Sequence, residues 1–516
     1  MRADRRVALL AVAGAAALLA LPAARADVWL VAPSIGTEVL ASDNIDQAAG
    51  AAARADTRLT VSPQLQVYGR GARYRLDANL AGDGFFHAQR TQAQRFLPRS
   101  RVDGSVVALD RWLYLDGSLA ADTVAESVLD ATLQGSSSNR TRVYRERISP
   151  YLDHQFDPST SLLARADRTW IQTRGSTAAG TTPVAGSLTG SYHSTVQSDL
   201  VRLDRRPTPL GLRLEGSRVL SSIQDRGIAD VEFSVARASL LWGPDPQWFV
   251  GLTAGRDRAR YSGLQTGGTL RGALLHWAPT ERTTLDALLE RRFFGNSYQL
   301  KFAHRSPFVV VASTLSREAS TVAAQLASQS GASSLESLLD SAYRTRITDP
   351  VERLTRVRSD LANQGLSAGL SGASVVNAGS AQVVQGADLT VLLLGQRHTA
   401  TARIYRQSTR ALVGPDDTTT PSSADTRQTG LSLEVARRLD AQTTGQVEFT
   451  LSRNETLGLD EGVARVNGGL RVGLAYRFSP ATVGAVGLRY QVSTSSVESV
   501  ADVREVSVYA GANHRF

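Results

Sequence analysis

The 516-residue sequence contains no cysteine. That absence excludes disulfides, thiolate metal sites, a cysteine nucleophile and a lipid-modified N-terminal cysteine together. Lysine is nearly missing too: Lys301 stands alone, and the other 56 of the 57 cations are arginine. Genome composition can produce that bias, so by itself it is weak support for anion recognition. Beyond the first 26 residues no segment reaches about 18 consecutive apolar residues, and the mean hydropathy is -0.15, which excludes a helical membrane span. The seven histidines, His87, His154, His193, His276, His304, His398 and His514, are scattered singly with no carboxylate at ligand spacing, so no metal or cofactor is expected. No basic cluster interleaved with aromatics points to nucleic acid.

What is present begins with an export signal. Arg2, Arg5 and Arg6 precede an apolar run of 15 residues from Val7 to Leu21, and Ala24-Arg25-Ala26 forms a small-residue cleavage site before Asp27. Residues 1–26 are expected to be removed. The formal charge then falls from +9 to 53 minus 47, or +6, which is mild for this length. An exported, moderately polar chain is either soluble or a barrel.

Two-residue periodicity decides between them. Leu59, Val61, Leu65 and Val67 alternate with Thr60, Ser62, Gln64 and Gln66; Tyr74, Leu76, Ala78 and Leu80 alternate with Arg73, Arg75, Asp77 and Asn79. The same grammar recurs to the end, as in Leu470, Val472, Leu474, Tyr476 and Phe478 against Arg471, Gly473, Ala475 and Arg477. A soluble sandwich also alternates. The connections discriminate, because a bacterial outer-membrane barrel alternates short periplasmic turns with longer outer loops. Segments 69–71, 109–111, 157–160, 204–210, 243–247, 279–282, 305–308, 395–398, 439–443 and 479–482 are all short. Interleaved with them, 41–57, 84–98, 122–140, 174–186, 409–426 and 453–464 are mostly long and rich in Ser, Thr, Gly and Ala. The expected fold is therefore all-β: a transmembrane antiparallel up-and-down β-barrel of about 22 strands (range roughly 16 to 24) with one small helical insertion.

That insertion interrupts the strand pattern between residues 318 and 386 and carries "SSLESLLDSAY" and "DPVERLTRVRSDLANQG", two short helices. In the second, Asp349 is the N-cap, Pro350 the first helical residue, Val351, Leu354 and Leu361 the apolar face, and Gly365 the stop. The layout is a signal at 1–26, a first barrel part at 27–318, the insertion at 319–386 and a C-terminal barrel part at 387–516. By parity the insertion leaves from the outer end and folds inward as a plug or outward as an extracellular cap. About 22 strands close to a diameter of roughly 40 Å, too wide for side chains alone to fill.

Trp29, Trp112, Trp170, Trp242, Trp248, Trp277 and Phe293 lie near strand ends and are expected at the membrane interfaces. The inward phase carries Arg145, Arg147, Arg213, Arg292, Lys301, Arg305, Arg403, Arg438, Arg471 and Arg477, the candidate lumen-lining cations. They either bias the lumen toward anions or form Arg–carboxylate pairs that brace the wall. No catalytic residue is assigned. Gly365-Leu-Ser367-Ala-Gly369 matches a nucleophile elbow, but it follows a helix where the elbow requires a strand before it. Asn139-Arg-Thr141 and Asn454-Glu-Thr456 read as chance sequons.

Several stretches resemble one family. "HWAPTERTTLDALLERRFFGNSYQLKFAHRS" (276–306), with "WLVAPSIGTEVLASDNI", "RISPYLDHQFDPST" and "DPVERLTRVRSDLANQGL", is similar to the outer-membrane barrels associated with the PEP-CTERM/exosortase system. The resemblance implies a Gram-negative outer-membrane location and a part in exopolysaccharide export or surface assembly. The implied partners are outer-membrane lipid, the barrel-assembly machinery, exopolysaccharide and periplasmic export proteins. The expected function is a non-enzymatic, porin-like conduit or accessory for that export. The alternative is a non-conducting structural barrel that binds polymer or proteins through its loops.

The chain ends "VREVSVYAGANHRF", with Val506, Val508, Ala510, Ala512 and Phe516 on one face and Glu505, Ser507, Tyr509, Asn513 and Arg515 on the other. Phe516 resembles the C-terminal assembly signal of such barrels and is expected to close the last strand against the first near Trp29. His514 is the poor fit to that signal.

Overall fold

The computed structural model describes residues 28–89, 95–124, 141–175, 191–224, 229–328, 335–364, 373, 381–412, 425–457, 463–496 and 502–516. The signal segment, the elbow-like motif at 365–369 and Asn139 lie outside them. Twenty-three antiparallel segments are numbered in chain order; all but β4 (Arg95–Pro98) and β5 (Ser100–Leu109), which do not pair with each other, pair with their sequence neighbours, and β1 (Val28–Ser42) pairs with β23 (Val503–Arg515) to close the sheet. Segments β4 and β5 are parted only at Arg99 and both pair with β3 (Tyr74–His87), so the wall has 22 strands. Closure satisfies every edge, the condition for a sheet to cross a bilayer.

The seam register runs from Ser34 opposite Arg515 to Ser42 opposite Ser507, and the Phe516 amide donates to the Pro33 carbonyl at 3.1 Å. The last strand thus meets the first at Pro33 and Ser34 rather than at Trp29. Residues 28–32 pair only with β2 (Asp56–Arg70) and project beyond the seam.

The two faces follow the alternation. On β23, Val506 and Val508 are exposed while Glu505, Ser507 and Tyr509 are buried. Outside, a continuous aliphatic surface includes Leu252, 73 % exposed, and Leu240, 61 % exposed. No soluble monomer presents such a band to water, and a bilayer covers it. The architecture is that of an outer-membrane barrel. We call the end carrying Val28 and Phe516 periplasmic. Trp29, Trp112, Trp242, Trp248 and Trp277 lie at that end, with Trp242 and Trp248 edge to face at 5.3 Å; only Trp170 lies toward the outer end. Phe293 does not join a girdle. Its ring stacks 6.3 Å from inward-facing Phe233, and its amide donates to buried Asp257.

Outer connections are not uniformly long. Ser262 and Gly263, both at positive φ (49° and 75°), make a two-residue hairpin turn, and Phe293-Phe294 makes another. The wall is low at the second of these, where Arg291 stands opposite Arg271, whereas the first rises to the level of Val231. The periplasmic turns are short throughout the described residues.

Strand β16 (Val309–Ser320) runs two residues further than expected and β17 (Gln382–Leu394) starts five residues earlier, so the insertion is 321–381. Its described residues form three helices, not two: α1 (Val322–Ser328), α2 (Leu335–Tyr343) and α3 (Pro350–Gln364).

Candidate functional site: an arginine-lined gap beside the internal helices

The insertion turns inward. Thr321 caps α1, its hydroxyl accepting from the Ala324 amide at 3.0 Å and meeting the Ser221 hydroxyl at 2.8 Å on the wall. Val322, Ala323 and Leu326 then pack on inward-facing Val143, Ile171, Tyr192, Val196 and Ile223 in the outer half of the barrel. Arg145 pairs with Asp122 and donates to the Leu326 carbonyl at 3.1 Å, so a wall arginine holds the end of the helix.

The next two helices lie at the opposite end. Leu335, Leu338, Leu339 and Ala342 of α2 pack with Val357 and Leu361 of α3 against Val310, Leu392 and Leu394, residues near the periplasmic termini of β16 and β17. Asp349 caps α3 as expected, accepting from the Val351 and Glu352 amides at 2.6 and 3.0 Å. The buried face of α3 is Arg353, Val357, Asp360 and Leu361 rather than Val351 and Leu354. The difference has a physical cause: Arg353 donates to Asp340 at 2.6 Å and to the Ile347 carbonyl at 2.9 Å, so a polar side chain fastens the α2–α3 corner from inside.

Those two amide bonds hold the Asp349 carboxyl below the usual carboxylate range. A group whose folded pKa is lowered stabilises above its unfolded pKa, and that contribution disappears as pH falls through the lowered value. Asp349→Ala is expected to speed amide hydrogen exchange at Val351 and Glu352 at neutral pH, and to make no difference once acid has protonated the native carboxyl. Unchanged exchange at neutral pH would remove the cap from the account.

Arg358 ties α3 to the wall. Its guanidinium reaches Glu336 on α2 at 3.1 Å and inward-facing Asp77 on β3 at 3.0 Å, while Arg515 donates to its carbonyl at 3.0 Å. On the neighbouring face of α3, Asp360 accepts from Tyr343 at 2.7 Å and from Arg356 at 2.9 Å. Burial, reinforced by that carboxylate, pushes the Tyr343 hydroxyl up to about 12, so it remains a donor throughout the physiological range.

Between α3 and the periplasmic ends of three wall strands lies a cavity of about 500 Å³, lined by Arg356, Ser359, Asp360, Arg438, Ala441, Gln442, Thr444 and Arg477. A second, of about 290 Å³, continues along the wall with Arg346 and Arg397. Five arginines therefore face this gap against one carboxylate, Asp360, which Arg356 and Tyr343 already occupy. A gap with that balance attracts anions.

The ten cations singled out from the sequence divide by partner. Six pair with carboxylates: Arg145 with Asp122, Arg147 with Asp167 (2.7 Å), Arg213 with Asp204 (2.5 Å), Arg292 with Asp257 (3.2 Å), Arg403 with Asp388 (2.7 Å) and Arg471 with Glu38 (3.3 Å). Four of these brace adjacent strands, whereas Arg292–Asp257 and Arg471–Glu38 reach across intervening ones. Arg305 and Arg477 bond the Glu281 and Ala441 carbonyls at 3.2 and 2.9 Å, close to periplasmic turns. Lys301 and Arg438 make no ion pair among the described residues, and Arg438 lines both cavities. Only Arg438 and Arg477 of the ten reach the gap. Arg346, Arg356 and Arg397 escape strand phase because they sit on a corner, a helix and a turn respectively.

Among the described residues no group of three His, Cys, Asp or Glu is placed to hold a metal ion. Asn454 is buried on the inward face, which disposes of its sequon.

No protein-family model matches the chain, and no curated protein matches it. Among solved structures it is similar to the ferric enterobactin receptor PfeA of Pseudomonas aeruginosa in a mutant form (12 % identity, TM-score 0.41, 94 % of this chain and 80 % of that one). It is also similar to the siderophore receptor PirA of Acinetobacter baumannii (10 %, 0.44, 94 % and 80 %) and to the FrpB iron transporter of Neisseria meningitidis (10 %, 0.36, 94 % and 82 %). No role passes from these proteins to this chain at such values.

Proposed function

We propose that this protein is an outer-membrane conduit whose own helical insertion restricts the lumen, and that it passes or binds an anionic or heavily hydroxylated polymer, in keeping with its resemblance to exopolysaccharide-associated barrels. The observation that carries the reading is the gap beside α3, with five arginines and one engaged carboxylate at the periplasmic mouth. A periplasmic export protein would deliver polymer to that mouth. The barrel performs no bond chemistry in this reading.

The reading is tested by ion selectivity. In planar bilayers under a potassium chloride gradient, the reversal potential is expected to show anion preference, and Arg438→Glu with Arg477→Glu is expected to invert its sign. A conducting barrel whose reversal potential ignores both substitutions would sink the assignment of the gap.

Phe516 belongs to the same reading as the signal for assembly. Its deletion is expected to leave unassembled chain in the periplasm, measured as loss of the heat-modifiable band from outer-membrane fractions. Assembly at the normal level would dismiss the signal.

A further inference from the structure

The inward arginines are mostly paired, but one outward group is not. On β12 (Trp248–Tyr261) the lipid-facing positions read Val250, Leu252, Ala254, then Arg256, Arg258 and Arg260. On β13 (Leu264–Thr280) they read, from the periplasmic side, Trp277, Leu275, Ala273, then Arg271. On β14 (Thr283–Arg292) they read Leu285, Ala287, Leu289, then Arg291. Three adjacent strands thus change from aliphatic to arginine at nearly the same height. All five arginines are exposed, and none forms an ion pair among the described residues. The nearest outward carboxylate, Glu232, is opposite Arg260 in the register but pairs with Arg218 at 2.9 Å.

Two further observations say what completes the patch. Arg271 and Arg291 are direct cross-strand partners, an arrangement that like charges destabilise unless an anion lies between them. The level is also wrong for a protein ligand. Six residues separate Trp277 from Arg271, roughly 15 Å of height at a 40° tilt, and the long arginine stems carry their heads further up. Arg271 and Arg291 therefore mark the upper edge of an apolar band about 25 Å tall, and Arg256, Arg258 and Arg260, opposite Thr269, Gly267 and Gln265, climb from that edge into the outer head-group layer. The Phe293-Phe294 turn keeps the wall low beside them, so no loop of that hairpin covers them.

We propose that Arg256, Arg258, Arg260, Arg271 and Arg291 form a docking surface for the phosphate groups of a phosphorylated outer-leaflet glycolipid of the lipid A class. Guanidiniums bind phosphate bidentately, and two phosphates on one rigid disaccharide can bridge the Arg271–Arg291 pair and the β12 row. The site is independent of the lumen, so its failure leaves the conduit reading standing.

The test uses the full chain in phosphatidylcholine nanodiscs, titrated with bisphosphorylated lipid A and with its dephosphorylated form and read by native mass spectrometry. The bisphosphorylated lipid is expected to bind more tightly, and high salt is expected to release it. Arg256→Gln with Arg271→Gln and Arg291→Gln is expected to weaken binding by roughly a hundredfold, three charges at a lipid surface. The corresponding lysine triple variant is expected to recover most of that loss. Equal binding of the two lipids by the unaltered protein overturns the proposal, whatever the variants do. So does wild-type affinity in the glutamine variant, and saturable binding of inorganic phosphate alone overturns the assignment to a lipid.

Discussion

Excising residues 321–381 and joining Ser320 to Gln382 through a two-residue Asn-Gly turn is expected to convert a restricted barrel into a wide, steadily open pore. The junction is available because Ser320 and Gln382 are direct cross-strand partners at the outer ends of β16 and β17. The lumen is roughly 40 Å across between backbones, and three helices run through it from the outer half to the periplasmic mouth. Their removal exposes Val143, Ile171 and Tyr192 in one half and Val310, Leu392 and Leu394 in the other, so some stability is lost. Single-channel conductance is expected to rise on the order of tenfold, following the freed cross-section of a barrel this wide. A folded, heat-modifiable deletion variant that remains sealed would count decisively against a conduit and in favour of a barrel that acts through its surface.

The second large effect is expected at the seam. Glu505 on β23 is 1 % exposed; it accepts from Arg489 at 2.6 Å, from Ser42 of β1 at 2.9 Å and from Gln47 at 2.8 Å. One carboxylate thereby joins the last strand to its predecessor, to the first strand and to the loop that follows it. Glu505→Ala leaves Arg489 buried beside no anion, and removing one partner of a buried pair costs about 3–5 kcal/mol. The urea midpoint for unfolding in lipid vesicles is expected to fall accordingly, whereas Arg489→Met with Glu505→Leu is expected to recover most of it. A midpoint unchanged in Glu505→Ala would mean that backbone pairing alone closes the barrel.

The wall was legible in the sequence because a barrel repeats one rule. Lipid outside and polar groups inside force period-two alternation, and turn parity then counts 22 strands. The insertion was legible only in part. Helices α2 and α3 carry capping and apolar spacing, but α1, "VAAQLAS", is short and alanine-rich, with no acidic residue in its first turn. Whether the insertion plugs or caps was written elsewhere, in the strands that receive it. In β11 (Val231–Asp245) the apolar residues of the outer half, Val231, Phe233 and Val235, face inward, whereas in the periplasmic half Leu240 and Trp242 face lipid and one leucine, Leu241, faces inward. That inversion marks where the strand leaves the bilayer and begins to line a packed interior. Reading alternation without its phase hides it. The same blindness to phase assigned Phe293 to a girdle.

The contacts of Arg358 carry a consequence for biogenesis. Asp77 belongs to the third strand to be synthesised and Arg515 to the last, and both touch this single residue of a segment made between them. The insertion therefore cannot complete its docking until the C-terminal strand has come round to the N-terminal ones. A nascent barrel with its ends apart has α3 without this foothold, so the Arg515 contact is one that only a closed barrel makes.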